Sequence, residues 1–203
     1  MIHPDTEVRF INDNVGYGVV ATRLIPKGTI TWVKDKLDRE FDLEQFNSFT
    51  EVYRDILEKY CYRDSRGKFV LCWDTSRFVN HSFNSNCIST PYEFEIAVRD
   101  IHPGEELTDD YGYLNISEPF DCLPEPGSSR TRVMPDDLLH FHELWDAQLM
   151  EAFKHFGGVA QPLMMILEEP TQQKAKAIAQ GKIKMDSILN CYYNQNGNGQ
   201  ARV

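Results

Sequence analysis

Apolar residues in the first third of the chain come in short runs that alternate with polar ones and are cut by turn residues. Val8, Phe10 and Ile11 lead into the polar turn Asn12-Asp13-Asn14, and Gly16-Tyr17-Gly18 opens the run Val19-Val20-Ala21. Ile25-Pro26-Lys27-Gly28 is a β-turn signal, because proline presets the first central φ and glycine follows close behind. Thr29–Val33 has the β-branched and aromatic composition of a strand. From 42 to 60 the period changes. Leu43, Phe46, Phe49, Val52, Tyr53, Ile56, Leu57 and Tyr60 recur at steps of three and four, which predicts an amphipathic helix or a helix pair. Short strands are predicted again at Phe69–Trp73 and Phe94–Val98, the second followed by the turn His102-Pro103-Gly104.

Past Asp110-Tyr111-Gly112 the pattern shifts. Residues 115–135 are rich in Pro, Gly and Ser and predict a connecting loop. From Pro135 a broad apolar stripe (Leu138, Leu139, Phe141, His142, Leu144, Trp145, Leu149, Phe153 and Phe156) predicts one long helix stopped by Gly157-Gly158. Shorter helices are predicted at 160–169 and 172–180, the latter opened by Thr171 after Pro170. The tail Asn194-Gln195-Asn196-Gly197-Asn198-Gly199 is polar and of low complexity, and is expected to fray.

Composition narrows the function classes. With 203 residues, 41% hydrophobic and 26% charged, the chain has the balance of a globular domain plus a subdomain. No apolar run approaches the ~20 residues of a membrane span, and the N-terminus MIHPDTEVRF lacks the basic flank and apolar core of a signal peptide. An intracellular protein is expected, cytoplasmic or nuclear, without membrane contact. The net charge is −10, and residues 1–120 hold 21 acidic against 13 basic side chains. That surface repels phosphate backbones, so no direct nucleic-acid binding is expected, and it attracts basic protein segments. Five widely spaced cysteines with no CxxC fit free thiols in a reducing compartment, with neither a disulfide framework nor a metal site.

Three segments carry the candidate chemistry: Gly16-Tyr17-Gly18, Arg77-Phe78-Val79-Asn80-His81-Ser82 with Asn86, and Gly104-Glu105-Glu106-Leu107-Thr108-Asp109-Asp110-Tyr111-Gly112. Each alone has an ordinary structural use as a turn, a side-chain-bonded loop or a strand end. Together and in this order, GYGVVATRLIPKGTI, RFVNHSFNSN and IHPGEELTDDYG resemble the SET-domain family of protein-lysine methyltransferases, over about residues 6–114. The resemblance implies a mainly β fold of small curved sheets with helices. It also implies a pseudoknot in which the Tyr111 segment threads beside the Asn80-His81 loop, and a helical C-terminal extension. The implied layout is a SET domain over 1–120, with a variable, substrate-shaping insert at about 34–68, and a loop with a helical subdomain over 121–203. The implied reaction is methyl transfer from S-adenosylmethionine to a protein lysine. Gly16, Tyr17, Gly18, Asn80, His81 and Tyr111 would bind the cofactor, and Tyr111 would be the catalytic tyrosine. The implied partner is a protein with an accessible lysine in a basic segment. The alternatives are a catalytically silent SET module that binds a protein partner, and methylation of a small molecule or a non-lysine group.

The chain departs from the family pattern in two places. Where many members have zinc-binding cysteines, it has Phe83 and a downstream stretch that keeps only Cys122, with Pro124 at the next ligand position, so no zinc is expected. Another element would then close the cofactor pocket. Either residues 115–135 with the following helices cover it, or the C-terminal helices are a packing cap or a homodimer surface. The second departure is Asp109, at a usually apolar or aromatic position, which either adds negative potential near the incoming lysine or faces solvent. Arg77 is expected to be structural, Asp110 to hold its loop, and Glu105-Glu106 to form a solvated turn. Tyr17, Trp73, Tyr92, Tyr113 and Phe120 are the aromatics available to line a lysine channel.

Overall fold

The computed structural model describes residues 1–194, so residues 195–199, part of the tail expected to fray, lie outside the described residues. Strands β1 (Thr6–Asn12) and β2 (Gly16–Ala21) form an antiparallel hairpin. Its turn is closed by Asn12, whose Oδ1 accepts from the amides of Asn14 and Val15 at 2.9 and 3.0 Å. β3 (Ile30–Val33) pairs with β9 (Phe94–Ala97), which pairs with β8 (Cys87–Ser89), giving a three-stranded antiparallel sheet. A second three-stranded sheet orders β4 (Arg39–Phe41), β6 (Phe69–Leu71) and β5 (Cys61–Arg63). This is the fold class expected from the sequence, small antiparallel sheets with helices. One pair is parallel: β7 (Asn80–His81) with β10 (Thr108–Asp109), in the register Thr108↔Asn80 and Asp109↔His81. A parallel pair requires the chain to cross over before returning. Here β8, β9 and the Gly104 turn form that crossover.

The helical stretch at 42–60 is a pair, α1 (Leu43–Ser48) and α2 (Glu51–Tyr60). Asp42 starts α1 with a capping box, its carboxylate accepting from the Gln45 amide and the Gln45 side chain from the Asp42 amide. The apolar stripe of α2 is only half used. Leu57 is buried with Phe41, Phe46 and Phe69 in a small core, while Val52, Tyr53 and Ile56 face outward. Helix α3 (Asp137–Phe156) buries Leu138, Trp145, Leu149, Phe153 and Phe156 against Ile30, Val33, Ile88, Phe94 and Ile96 of the β3-β9-β8 sheet. α4 (Glu169–Ala179) adds Ala175 and Ile178 to the same core. The sheet and the C-terminal helices therefore share one hydrophobic interior. The approach is close enough that a Cβ on Gly28 would meet Cβ of His155 at 2.8 Å and the Ala152 carbonyl at 2.9 Å.

Three expectations are corrected. The helix expected at 160–169 is only a 3₁₀ turn at Met164–Ile166. Gln161 holds the preceding chain against β3, accepting from the Ile30 amide at 2.8 Å and donating to the Gly28 carbonyl at 2.7 Å. The next helix starts at Glu169 rather than after Thr171, because Pro170 sits in the first turn, where its missing N–H is not needed. The loop at 115–135 contains a short hairpin, β11 (Phe120–Asp121) with β12 (Arg132–Val133). All five cysteines are free thiols. No described helix is long and apolar enough to cross a membrane.

Candidate active site

Tyr111 follows the parallel β10 and is tied to the strand beside it at two points. Its amide donates to Nδ1 of His81 at 3.2 Å, and its hydroxyl donates to the Val79 carbonyl at 2.7 Å. Asp110 caps the single 3₁₀ turn Tyr111–Tyr113, accepting from the Gly112 amide at 3.0 Å, so it holds this loop. Burial, then the charges of Asp109, Glu106 and Glu95, push the Tyr111 phenol above its ordinary range. It stays protonated. Tyr111 is a fixed dipole, not a base.

On one side of this tyrosine the sequence motifs converge. Asn80 Nδ2 donates to the Tyr17 carbonyl at 3.0 Å and to Glu106 Oε1 at 2.6 Å. Gly18 lies so close beneath that a Cβ there would stand 2.2 Å from Glu106 Oε1 and 2.9 Å from Asn80 Nδ2. Only glycine fits. At Gly16 the added Cβ would meet nothing within 4 Å, so the backbone there faces open space. Glu106 is thus part of the cluster rather than a solvated turn, while Glu105 accepts from the His102 amide at 2.9 Å and pairs with Arg99. His81 is neutral. Burial draws its pKa down to about 4, and with Nδ1 accepting from Tyr111 the proton is assigned to Nε2, which is buried without a partner.

On the other side lies a cavity of about 660 Å³, whose wall includes Tyr111, Val79 and Phe120. Gly16, Tyr17, Gly18, Asn80 and His81 do not line it, while Tyr111 lines it and is hydrogen-bonded to His81 and Val79, the two chain neighbours of Asn80. Of the five aromatics expected to form a channel, only Phe120 lines this cavity. Tyr92 and Tyr113 are core residues, packed with Phe94 and Trp145. Trp73 is exposed and donates from Nε1 to Asp35 at 3.0 Å. Tyr17 stacks edge-on with Phe10 on the outside of the β1-β2 hairpin. Besides Tyr111, the cavity's other aromatics are Trp32, Phe46, Tyr60, Tyr62 and Phe69. Three of these lie in the 34–68 insert, where helical periodicity made Tyr60 look like a core position. Arg77 also lines the wall, but its guanidinium is spent on the Asp74 and Trp73 carbonyls, each at 3.1 Å.

Four carboxyl side chains lie on the cavity wall, Glu58 and Glu118 exposed and Glu95 and Asp109 buried. Glu95 is the polar residue in the buried strand Phe94-Glu95-Ile96-Ala97, where it opposes Trp32 on one neighbour and Ser89 on the other, and Asp109 precedes Tyr111 by two. Both are buried, at 8% and 5% exposure, so Asp109 does not face solvent. They hydrogen-bond each other. Ser89 donates to Glu95 at 3.0 Å and the Tyr113 hydroxyl to Asp109 at 3.1 Å. Burial raises Asp109 well above the carboxylate range and Glu95 to about 7. Burial thus makes the pair hold on to protons at a higher pH than free carboxyls do.

The strap at 120–133 covers the His81 loop. Glu125 accepts from the Ser82 hydroxyl at 2.7 Å, and Asn84 Nδ2 donates to the Pro126 carbonyl at 2.8 Å. Arg130 bridges buried Asp110, next to Tyr111, and Asp137 at the start of α3. Its guanidinium lies between the rings of Phe83 and Phe141, 4.4 and 4.3 Å from their centroids. Phe83 packs edge-on against His81 at 4.4 Å. No group of three or more His, Cys, Asp or Glu arranged to hold a metal occurs among the described residues.

The parallel β7–β10 pair thus sets Tyr111 against His81 and Val79 on the wall of an aromatic-lined cavity. Residues 16–112 match the SET domain family. The chain carries a SET domain over those residues. It is 31% identical over 117 residues to "Histone-lysine N-methyltransferase Set2" of Drosophila melanogaster, a match covering 52% of this chain and 5% of that protein. It is 30% identical over 131 residues to a "Variant-silencing SET domain-containing protein" of Plasmodium falciparum (isolate 3D7), covering 55% and 5% respectively. The chain thus spans about a twentieth of the length of these relatives.

Proposed function

We propose that the protein is an S-adenosylmethionine-dependent methyltransferase that modifies a lysine side chain of a protein substrate. The observation that carries this reading is the place of Tyr111, held by His81 and Val79 at the junction of the polar cluster and the aromatic cavity. The cluster fits the cofactor's amino-acid end. The Tyr17 carbonyl and the Glu106 carboxylate are acceptors for its ammonium, and the open backbone at Gly16 leaves room for close approach. Gly16, Tyr17, Gly18, Asn80, His81 and Tyr111 are the residues proposed to hold it. When bound, S-adenosylmethionine supplies a methyl group already activated by its positive sulfur.

What remains for the chain is positioning, which is worth several powers of ten when donor and acceptor are held in line. The Tyr111 proton is committed to the Val79 carbonyl, so its oxygen lone pairs are free to accept an N–H of the amine. Trp32, Tyr60, Tyr62 and Phe120 wall the lysine stem and exclude water. That burial favours the neutral amine, the form with a lone pair to attack. The acidic surface of residues 1–120 steers a basic segment of the substrate protein toward the site.

The test is incubation with S-adenosylmethionine bearing an isotopically labelled methyl group and a demethylated lysate plus core histones, read by mass spectrometry. Label on lysine that is lost in Tyr111→Phe and Asn80→Ala is expected. Cofactor binding without label in any protein would replace the protein-lysine reading with a partner-binding SET module or a small-molecule acceptor.

A further inference from the structure

We propose that Glu95 and Asp109 are the receptor for the reacting end of the acceptor, which is a primary amine held through its N–H groups and methylated once. This rests on the reading that the Tyr111 end of the cavity is the transfer site. Three observations place the receptor there. Glu95, Trp32 and Ser89 form one cross-strand row on the cavity wall, and Asp109 reaches the same wall from β10, two residues before Tyr111. Both carboxyls are more than nine-tenths buried, yet among the described residues no lysine, arginine or histidine forms an ion pair with either. A buried carboxylate without a cation is costly, and β9 would be more stable with an apolar residue at 95. The cation it lacks is one that enters the cavity.

The chemistry follows from that placement. An alkylammonium R–NH₃⁺ enters between the aromatic walls and gives one proton to the ionised member of the pair, leaving two neutral carboxyls and a neutral amine. The raised affinity of the pair for a proton suits this transfer near neutral pH. The nitrogen lone pair then bonds to the methyl carbon as the carbon–sulfur bond breaks, its electrons leaving with sulfur. The product departs as R–NH₂⁺–CH₃, and the accepted proton returns to solvent. In the neutral secondary amine one N–H has become a methyl group, so one receptor oxygen would face carbon. Sites built to hydrogen-bond an N–H reject analogues without it strongly.

The receptor is testable without turnover. The indole N–H resonance of Trp32, on the cavity wall, is followed during titration at pH 7 with n-butylammonium, n-butyltrimethylammonium and n-butylguanidinium as probes. The primary ammonium is expected to bind at least tenfold tighter than the other two. Asp109→Asn and Glu95→Gln are expected to weaken it at least tenfold, while S-adenosylmethionine affinity changes less than twofold. Equal binding of the trimethylated probe, tighter binding of the guanidinium, unchanged binding in both variants, or no binding to the wild type overturns the proposal. Denaturation of both variants at pH 8 checks that they fold. In the labelling assay, monomethyl-lysine alone is expected, and di- or trimethyl-lysine or labelled arginine contradicts it. Probe binding without label on any protein leaves the receptor standing and removes the protein substrate.

Discussion

Replacing Glu95 by Gln is expected to stabilise the fold in mild alkali while disabling the site. Glu95 sits in the middle strand of the β3-β9-β8 sheet, and burial raises its pKa from 4.5 to about 7. A carboxyl whose folded pKa exceeds its unfolded value contributes stability that is fully present below pH 4.5 and is lost as pH rises through 7. At pH 8 the loss is about 3 kcal/mol, and near pH 5 it is below about 1 kcal/mol. Gln has the same shape, keeps an oxygen for the Ser89 hydroxyl and offers an amide N–H to Asp109, but it never ionises. Urea denaturation of the two proteins from pH 5 to 8 reads the difference. The variant should match the wild type to within about 1 kcal/mol at pH 5, gain on it steadily, and exceed it by about 3 kcal/mol at pH 8. A variant less stable than the wild type at pH 8 would refute the reasoning, because it would mean that the ionised carboxylate is satisfied within the folded chain.

Other perturbations probe the remaining parts. His81 runs the opposite way, with a folded pKa of about 4 below an unfolded 6.5, so its stability contribution is present above pH 6.5 and is lost on acidification. His81→Gln should remove about 2 kcal/mol of the loss between pH 7 and 5, measured by the same denaturation series. Arg130→Met leaves Asp110 and Asp137 as buried unpaired charges and should cost about 3–5 kcal/mol, read as a lower thermal midpoint with weaker cofactor binding. Gly28→Ala forces a Cβ at φ +90° against the α3 backbone and should destabilise by more than about 2 kcal/mol, read by chemical denaturation.

Much of the strand-and-turn layout was legible because it depends on local chemistry: proline-glycine turns, period-two runs, and a glycine pair ending α3. The motif residues near Tyr111 were legible for the same reason, since each lies in a turn or strand end with a recognisable signature. The cavity was not. Trp32 and Glu95 are 63 positions apart and meet through the register of β3 on β9, which no local pattern reports. Glu95 did leave a trace, a carboxylate within an otherwise apolar four-residue strand. Arg130 left none, because its partners Asp110 and Asp137 meet it only when the strap folds over the His81 loop. Helical spacing put Tyr60 on a core face, but α2 is short and ends at the cavity rim, so the side chain lines a wall instead.

Tyr111 is proposed to stand between a cofactor half and an acceptor half, a role that single-turnover kinetics of Tyr111→Phe measures. Methyl transfer from pre-bound S-adenosylmethionine to a saturating lysine acceptor should fall on the order of 100-fold, with cofactor affinity unchanged within about twofold. Transfer at the wild-type rate, or cofactor affinity lost in step with transfer, would contradict it.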